Sequence, residues 1–274
     1  MRTRTLGLSL TGLVVAVVYL IPVYWMVATS LKETGDVFNT PPDLVPKPPT
    51  LAAYRDAVFG DSAVLQGIWS STIITIPTLL LTLALAVPAA YGLARFSLRV
   101  NGVVMLLMLA AQMLPTISIA LPMFAIFSDY GLVDTYAGLI IANTSLALPF
   151  AVVMLRPYML AIPQDLMDAG LLDGCTGFRA FRKIGLPLVQ PGLIMVATLT
   201  FVMTWGEFVF GLTLATSDAI QPITVVLNRF VAQFGTQWTN LMAVSTVIAI
   251  PIIVIFVLLQ KYVVAGISEG GIKD

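Results

Sequence analysis

The chain of 274 residues has no histidine and a single cysteine, Cys175, and only 10% of its residues are charged. One thiol excludes an internal disulfide and a thiolate metal cluster, and without imidazole there is no plausible zinc site and no thiol–imidazole pair. The Gly-x-x-x-x-Gly-Lys-Ser/Thr pattern that cradles nucleotide phosphates is missing as well. Nothing in the composition supports covalent chemistry.

What fills the chain is apolar: 58% of residues are hydrophobic and the mean hydropathy is +0.96, far outside the soluble range. Crossing the hydrocarbon layer takes about 20 mostly apolar residues per helix. Six such segments can be drawn, from Leu6 to Ala28, Leu65 to Ala94, Val103 to Phe127, Tyr136 to Leu155, Leu188 to Ala215 and Leu241 to Gln260. The expected fold is therefore an all-α polytopic membrane protein with six transmembrane helices and one membrane domain over residues 1–274. The first segment follows Arg2 and Arg4 as a signal peptide would, but it runs on past Tyr24-Trp25 without a clear small-residue cleavage site, so it reads as a span.

Ten basic residues, among them Arg95, Arg99, Arg156, Arg179, Arg182 and Lys183, fall on one side of these spans and four on the other. The positive-inside rule then places both termini in the cytosol. The outer side carries eight acidic residues against those four basic ones, a net charge of −4 that argues against nucleic acid as a partner. The first outer loop contains Pro41-Pro42-Asp-Leu-Val-Pro46-Lys-Pro48-Pro49, where fixed φ angles and missing amide donors predict a stiff, extended segment, either a spacer or a strap over the outer mouth. Residues Ser128 to Asp134 are predicted to form a turn. The last outer loop, Thr216 to Thr239, mixes amides and aromatics, a composition suited to a soluble partner or substrate; Gln233, Gly235 and Thr236 are its candidate contacts. No repeat and no inverted symmetry relates the two halves, which weakens a self-contained carrier. Six helices make a thin wall around a sugar-sized passage, so a second, similar subunit is expected.

The cytosolic loop at 157–187 carries most of the information. Pro163 opens a helix expected to run to about Leu172, with Asp165 and Asp168 near its positive end. Asp173-Gly174 stops that helix, and Thr176 caps a second one running to about Ile184 before Leu186-Pro187. Ala169, Gly170 and Gly174 allow a partner's backbone to come close, and Phe178, Phe181 and Ile184 offer apolar contacts. On the residues alone the loop fits either a docking element or an interfacial amphipathic hairpin.

Within the membrane segments Glu207 stands out, because an ionised carboxylate there costs about 2 to 3 kcal/mol unless it meets water, a partner or the interface. It reads either as a helix-end carboxylate with an interfacial donor or as part of a passage or outer gate. Gln112, Asn143, Thr144 and Thr204 are further candidates for a hydrophilic path, although such residues more often bond between helices. Pro77, Pro88, Pro115, Pro122, Pro149 and Pro251 are expected to kink their helices.

The run Asp168-Ala169-Gly170, Asp173-Gly174-Cys175, Phe178 or Phe181, Ile184 and Leu186-Pro187 resembles the Glu-Ala-Ala-x-x-Asp-Gly-Ala…Leu-Pro coupling motif of carbohydrate-type ABC importer permeases. It departs at three positions, with Asp168 for Glu, Gly170 for Ala and Cys175 for Ala. Similar stretches recur in order along the chain: Thr50-Leu-Ala-Ala-Tyr54, Ala89-Ala90-Tyr91-Gly-Leu-Ala-Arg95-Phe96, Gln112-Met-Leu-Pro115, Gly131-Leu-Val-Asp134-Thr135, Trp205-Gly-Glu207-Phe208, Gln221-Pro222-Ile-Thr, Gln260-Lys-Tyr and the Gly266 to Lys273 tail. Together they resemble the maltose-type permeases of type I ABC importers. Gly206 stands where that family often has Asn.

The resemblance implies a transport subunit rather than an enzyme, in the inner membrane of a prokaryote. It implies a second permease, two ATP-binding subunits that carry ATP and Mg, and an extracytoplasmic solute-binding protein as partners, with membrane lipid around and no cofactor on this chain. Asp168, Ala169, Gly170, Asp173, Gly174, Phe178, Phe181, Ile184 and Pro187 would couple to the ATPase. The solute would be a sugar or sugar derivative, or alternatively a glycerol phosphate or glycerophosphodiester. A self-contained channel or carrier, and a membrane enzyme, are the rival classes.

Overall fold

The computed structural model describes residues 2–96, 99–232 and 235–271, and it is helical almost throughout. Four helices are long and apolar enough to cross a membrane, and six spans result when each of two bent helix pairs is taken as one. By chain contacts it divides into two units, residues 1–68 with 225–251 and residues 69–224 with 252–274.

In the first unit, α1 (Arg2–Ser30) ends where Lys32 lies over the ring of Trp25, 4.5 Å from its centroid. A short 3-10 turn (Thr34–Phe38) follows, and the proline-rich stretch forms no regular element because so few of its residues can donate an amide. It is tied back instead: the Tyr24 hydroxyl donates to the Leu44 carbonyl at 2.7 Å, and the Thr50 amide to that of Leu31 at 2.8 Å. After a π-helical turn (Tyr54–Phe59), α2 (Ser62–Arg95) begins. The unit also holds the end of α11 (Ile223–Leu227), a 3-10 turn (Asn228–Phe230), the two-residue strands β1 (Val231–Ala232) and β2 (Gly235–Thr236), paired antiparallel with Val231 opposite Thr236, and the start of α12 (Trp238–Gly271). Ser9–Ser30 buries none of its apolar window within the chain. In hydrocarbon that exposure has no hydrophobic cost.

The second unit is organised around α5 (Tyr136–Leu160), half of whose apolar window is buried. It packs against α3 (Asn101–Gln112), α9 (Gln190–Trp205) and α10 (Val209–Leu214). The closeness of α5 and α9 has a specific cause: a Cβ on buried Gly192 would lie 2.5–2.7 Å from the ring carbons of Tyr158. The expected third span is not straight. Met113, Leu114 and Pro115 separate α3 from α4 (Thr116–Asp129), and the axes turn by 98°. Pro115 lacks the amide that would continue the ladder, and a proline disfavours the helical region for the residue before it, here Leu114. The other prolines in that expectation, Pro77 and Pro88 in α2, Pro122 in α4, Pro149 in α5 and Pro251 in α12, lie inside continuous helices.

The turn from α4 to α5 shows why Gly131-Leu-Val-Asp134-Thr135 has that order. Gly131 takes φ +65°, and the amides of Gly131 and Leu132 return to the carbonyls of Ser128 (3.2 Å) and Phe127 (2.8 Å), closing α4 with a Schellman motif. Thr135 caps α5 by accepting from the Gly138 amide at 3.0 Å.

Candidate functional site

The loop after α5 folds as its residues suggest, with one change of direction. Helix α6 (Gln164–Leu172) starts after Pro163. It ends in a second Schellman motif, with Gly174 at φ +82° and the Gly174 and Cys175 amides bonded to the Leu171 and Gly170 carbonyls, both at 3.0 Å. Thr176 then accepts from the Arg179 amide at 3.3 Å and starts α7 (Gly177–Ala180). The expected second helix widens into a π-helical turn (Phe181–Gly185) before α8 (Leu186–Leu188), and the axis bends by 74° into α9.

Of the nine residues assigned to coupling, Asp168, Ala169, Asp173, Gly174, Phe178 and Pro187 are exposed. Gly170 and Phe181 instead pack within the chain. Gly170 is buried, and a Cβ there would come within 2.6 Å of the Ile184 side-chain tip, so Gly170 lets the two limbs of the loop close on each other. Phe181 is buried against Tyr91 of α2, with ring centroids 4.2 Å apart. Ile184 is half-buried. The outward apolar surface comes from Phe178, 75% exposed, and from Leu172, 90% exposed, which the sequence reading did not single out. Leu172 is four residues after Asp168 and shares its exposed face, a signal that helical periodicity contains.

The loop is held to α2 by polar bonds as well. Arg95, the last residue of α2, donates from Nη2 to the Ile162 carbonyl at 2.6 Å and from Nη1 to Gln164 Oε1 at 2.7 Å. Gln164 Nε2 in turn donates to Asp168 Oδ1 at 2.9 Å. The sequence places Arg95 among the cytosolic charges and in the Ala89 to Phe96 stretch that resembles the family, but gives neither it nor Gln164 a partner, since nothing in a linear pattern links residues 69 apart.

Three of the five path candidates come together. The expected fifth span breaks after α9, whose last helical residue is Trp205, and Glu207 lies in the break before α10. Both carboxylate oxygens accept backbone amides of α10, Phe210 at 2.8 Å and Gly211 at 3.2 Å, and the Glu207 carbonyl accepts the Thr224 hydroxyl at 2.7 Å. Glu207 thus satisfies amides that a helix start would leave open. Asn143, Thr204 and Glu207 line a cavity of about 10 Å³ with Ser71 and Thr75, enough for one water molecule. The Asn143 amide donates to the Leu139 carbonyl on its own helix at 2.9 Å, as the Thr144 hydroxyl does to that of Ile140 at 2.7 Å. Gln112 is elsewhere: it donates to the Leu146 carbonyl at 3.2 Å and borders a separate cavity of about 80 Å³ at the α3–α4 bend, with Ser145, Pro149 and Phe210.

Of the binding-protein candidates, Gln233 lies outside the described residues. Gly235, at φ +141°, is exposed and Thr236 half-buried on β2.

Residues 82–269 match the model of a family described as the inner membrane component of binding-protein-dependent transport systems. The chain belongs to that family. Full-length relatives agree with this. The chain is 32% identical to the sulfoquinovosyl glycerol transport system permease protein SmoH of Agrobacterium fabrum, over 93% of this chain and 89% of the relative. It is 34% identical to the trehalose transport system permease protein SugB of Mycobacterium tuberculosis (93% and 92%), and 30% identical to the diacetylchitobiose uptake system permease protein DasC of Streptomyces coelicolor (97% and 96%). Among solved structures, the fold matches a chain of a bacterial ABC transporter involved in import of the acidic polysaccharide alginate, at a TM-score of 0.80, 20% identity and coverage of 95% and 96%. The chain is a membrane-embedded transport subunit.

Proposed function

We propose that this permease forms, with a second permease subunit, the translocation path of an ATP-driven importer for a sugar or sugar derivative delivered by a solute-binding protein. ATP and Mg are bound by two partner ATPase subunits, and both termini and the loop at 157–187 face the cytosol. The residue arrangement that supports this most is the loop: a rigid turn, closed by a Schellman motif, presents Leu172 and Phe178 with almost no cover from the rest of the chain. Relatives named for sugar uptake support the solute class. A second reading, an anionic glycerol derivative such as a glycerol phosphate or glycerophosphodiester, draws on the relative named for sulfoquinovosyl glycerol. The ligand retained by the binding protein separates the two.

Full burial of a Leu or Phe side chain stabilises by about 1.5 to 3 kcal/mol, so replacing both Leu172 and Phe178 by Asp should weaken ATPase association about 100-fold or more. The measurement is co-purification of the ATPase subunits with the inserted permease pair. A Gly174→Trp variant, whose bulk projects from the turn, is expected to assemble and hydrolyse ATP without uptake. Undiminished co-purification by the first variant together with normal uptake by the second rejects the coupling role.

A further inference from the structure

We propose that Arg95 is a positioning residue that carries movement of the 157–187 loop into α2. This rests on the loop docking onto an ATPase subunit. Arg95 and Tyr91 are four residues apart and therefore share a face at the end of α2. Each holds a different limb of the loop: Arg95 holds the entry limb through the Ile162 carbonyl and Gln164, and Tyr91 holds the return limb through Phe181. The two joints differ in kind. Two rings in tilted contact, their planes 42° apart, carry no directional bond and tolerate sliding, whereas a planar guanidinium bonded to two acceptors fixes both distance and direction. Ile162 is only 3% exposed, so its carbonyl belongs to a segment that cannot shift without carrying the core with it. The chain of bonds continues through Gln164 to Asp168, on the exposed face of α6.

Beyond this joint α2 is continuous. Ser71, on the same helix, accepts the Ile223 amide at 2.9 Å and lines the cavity that Glu207 and Thr204 border. The 24 residues from Ser71 to Arg95 correspond to about 36 Å of helix. A displacement of the loop that reaches Arg95 therefore reaches the α9–α10 break through one continuous helix, uninterrupted at Pro77 and Pro88. Arg95 is also well placed electrostatically, since a cation at a helix C-terminus is favoured by the exposed carbonyls.

The test uses the complete transporter in proteoliposomes and two readouts that need no solute. The sole cysteine, Cys175, adjoins the loop turn and reports docking through a thiol-to-amine cross-linker to the ATPase. In a Cys175→Ala background, Trp69→Cys on the exposed far part of α2 reports movement as the rate of maleimide labelling with and without Mg-ATP and vanadate; Trp69 is 60% exposed. With Arg95 present, nucleotide is expected to change that rate about fivefold or more. Arg95→Gln and, independently, Gln164→Ala should abolish the response while Cys175 cross-linking persists, and Arg95→Lys, which can keep one of the two bonds, should restore part of it. A full nucleotide response in Arg95→Gln overturns the proposal. So does its loss together with cross-linking, which would make Arg95 a support for the docking shape only, and so does a cross-linked Arg95 transporter that shows no response at position 69. Absence of cross-linking with Arg95 in place refutes the docking reading instead.

Discussion

The Asp134 carboxylate accepts the Ser217 amide at 2.8 Å, and the Asp134 amide donates to the Leu214 carbonyl at the same distance. One residue at φ +58° thus pins the α4–α5 turn to the end of α10 and the residues that follow it. The hydrogen bond from the Ser217 backbone holds the Asp134 carboxyl below the usual carboxylate range. A depressed folded pKa contributes stability that is present above the unfolded value, about 3.9, and is lost as pH falls through the folded one. The thermal midpoint of the purified chain should be level from pH 7 to 5 and decline in more acidic buffer. Asp134→Asn should flatten that acid decline, and an unaltered profile in the variant would remove Asp134 from the account.

The contact between Gly192 and Tyr158 admits no side chain. Gly192→Ala places a methyl against the ring, and overpacking of this kind costs about 1 to 3 kcal/mol. Lower yield and a lower thermal midpoint are expected. Shrinking the ring in Gly192→Ala/Tyr158→Leu should recover part of the loss, while a neutral Gly192→Ala would show that α5 and α9 can separate freely.

Gly170 poses a closer balance. Alanine there gains about 1 kcal/mol of helix propensity. Against this, the new methyl meets the Ile184 tip, a flexible group that can rotate away at modest cost. Gly170→Ala should be nearly neutral, and Gly170→Ala/Ile184→Val should be more stable than Gly170→Ala in chemical denaturation. The reverse order would mean that the loop limbs are not in contact.

Glu207 caps α10 with both oxygens, so charge and hydrogen bonding can be separated. Glu207→Gln retains an acceptor, whereas Glu207→Ala leaves two amides open at about 1 to 3 kcal/mol for each that is buried. Thermal stability should fall in the order Glu, Gln, Ala. Uptake normalised to assembled complex then decides the passage or gate role: wild-type rates in both variants leave only the cap.

Residue type and order made much of the molecule readable. Apolar runs of sufficient length marked the spans, and Pro163, Gly174 and Thr176 marked the loop's start, turn and second helix, because those residues act through their own backbone or immediate neighbours. Pro115 marked the α3–α4 bend. The α9–α10 break was less accessible, because apolar content alone joins the two helices and hydropathy registers burial in lipid and not direction.

Which residues of the loop face outward was decided by tertiary structure. Local pattern grouped Phe178, Phe181 and Ile184 together, and only the presence of Tyr91 on α2 turns Phe181 inward. Likewise Asp134 with Ser217, Arg95 with Gln164, and Glu207 with Asn143 are neighbours across distant segments. The sequence by itself determined a helical membrane subunit with a capped loop, because helix formation, termination and hydropathy are set by short-range physics. The joints between helices arise only when the chain closes, since a hydrogen bond or a ring contact depends on position in space and leaves no periodic trace along the chain.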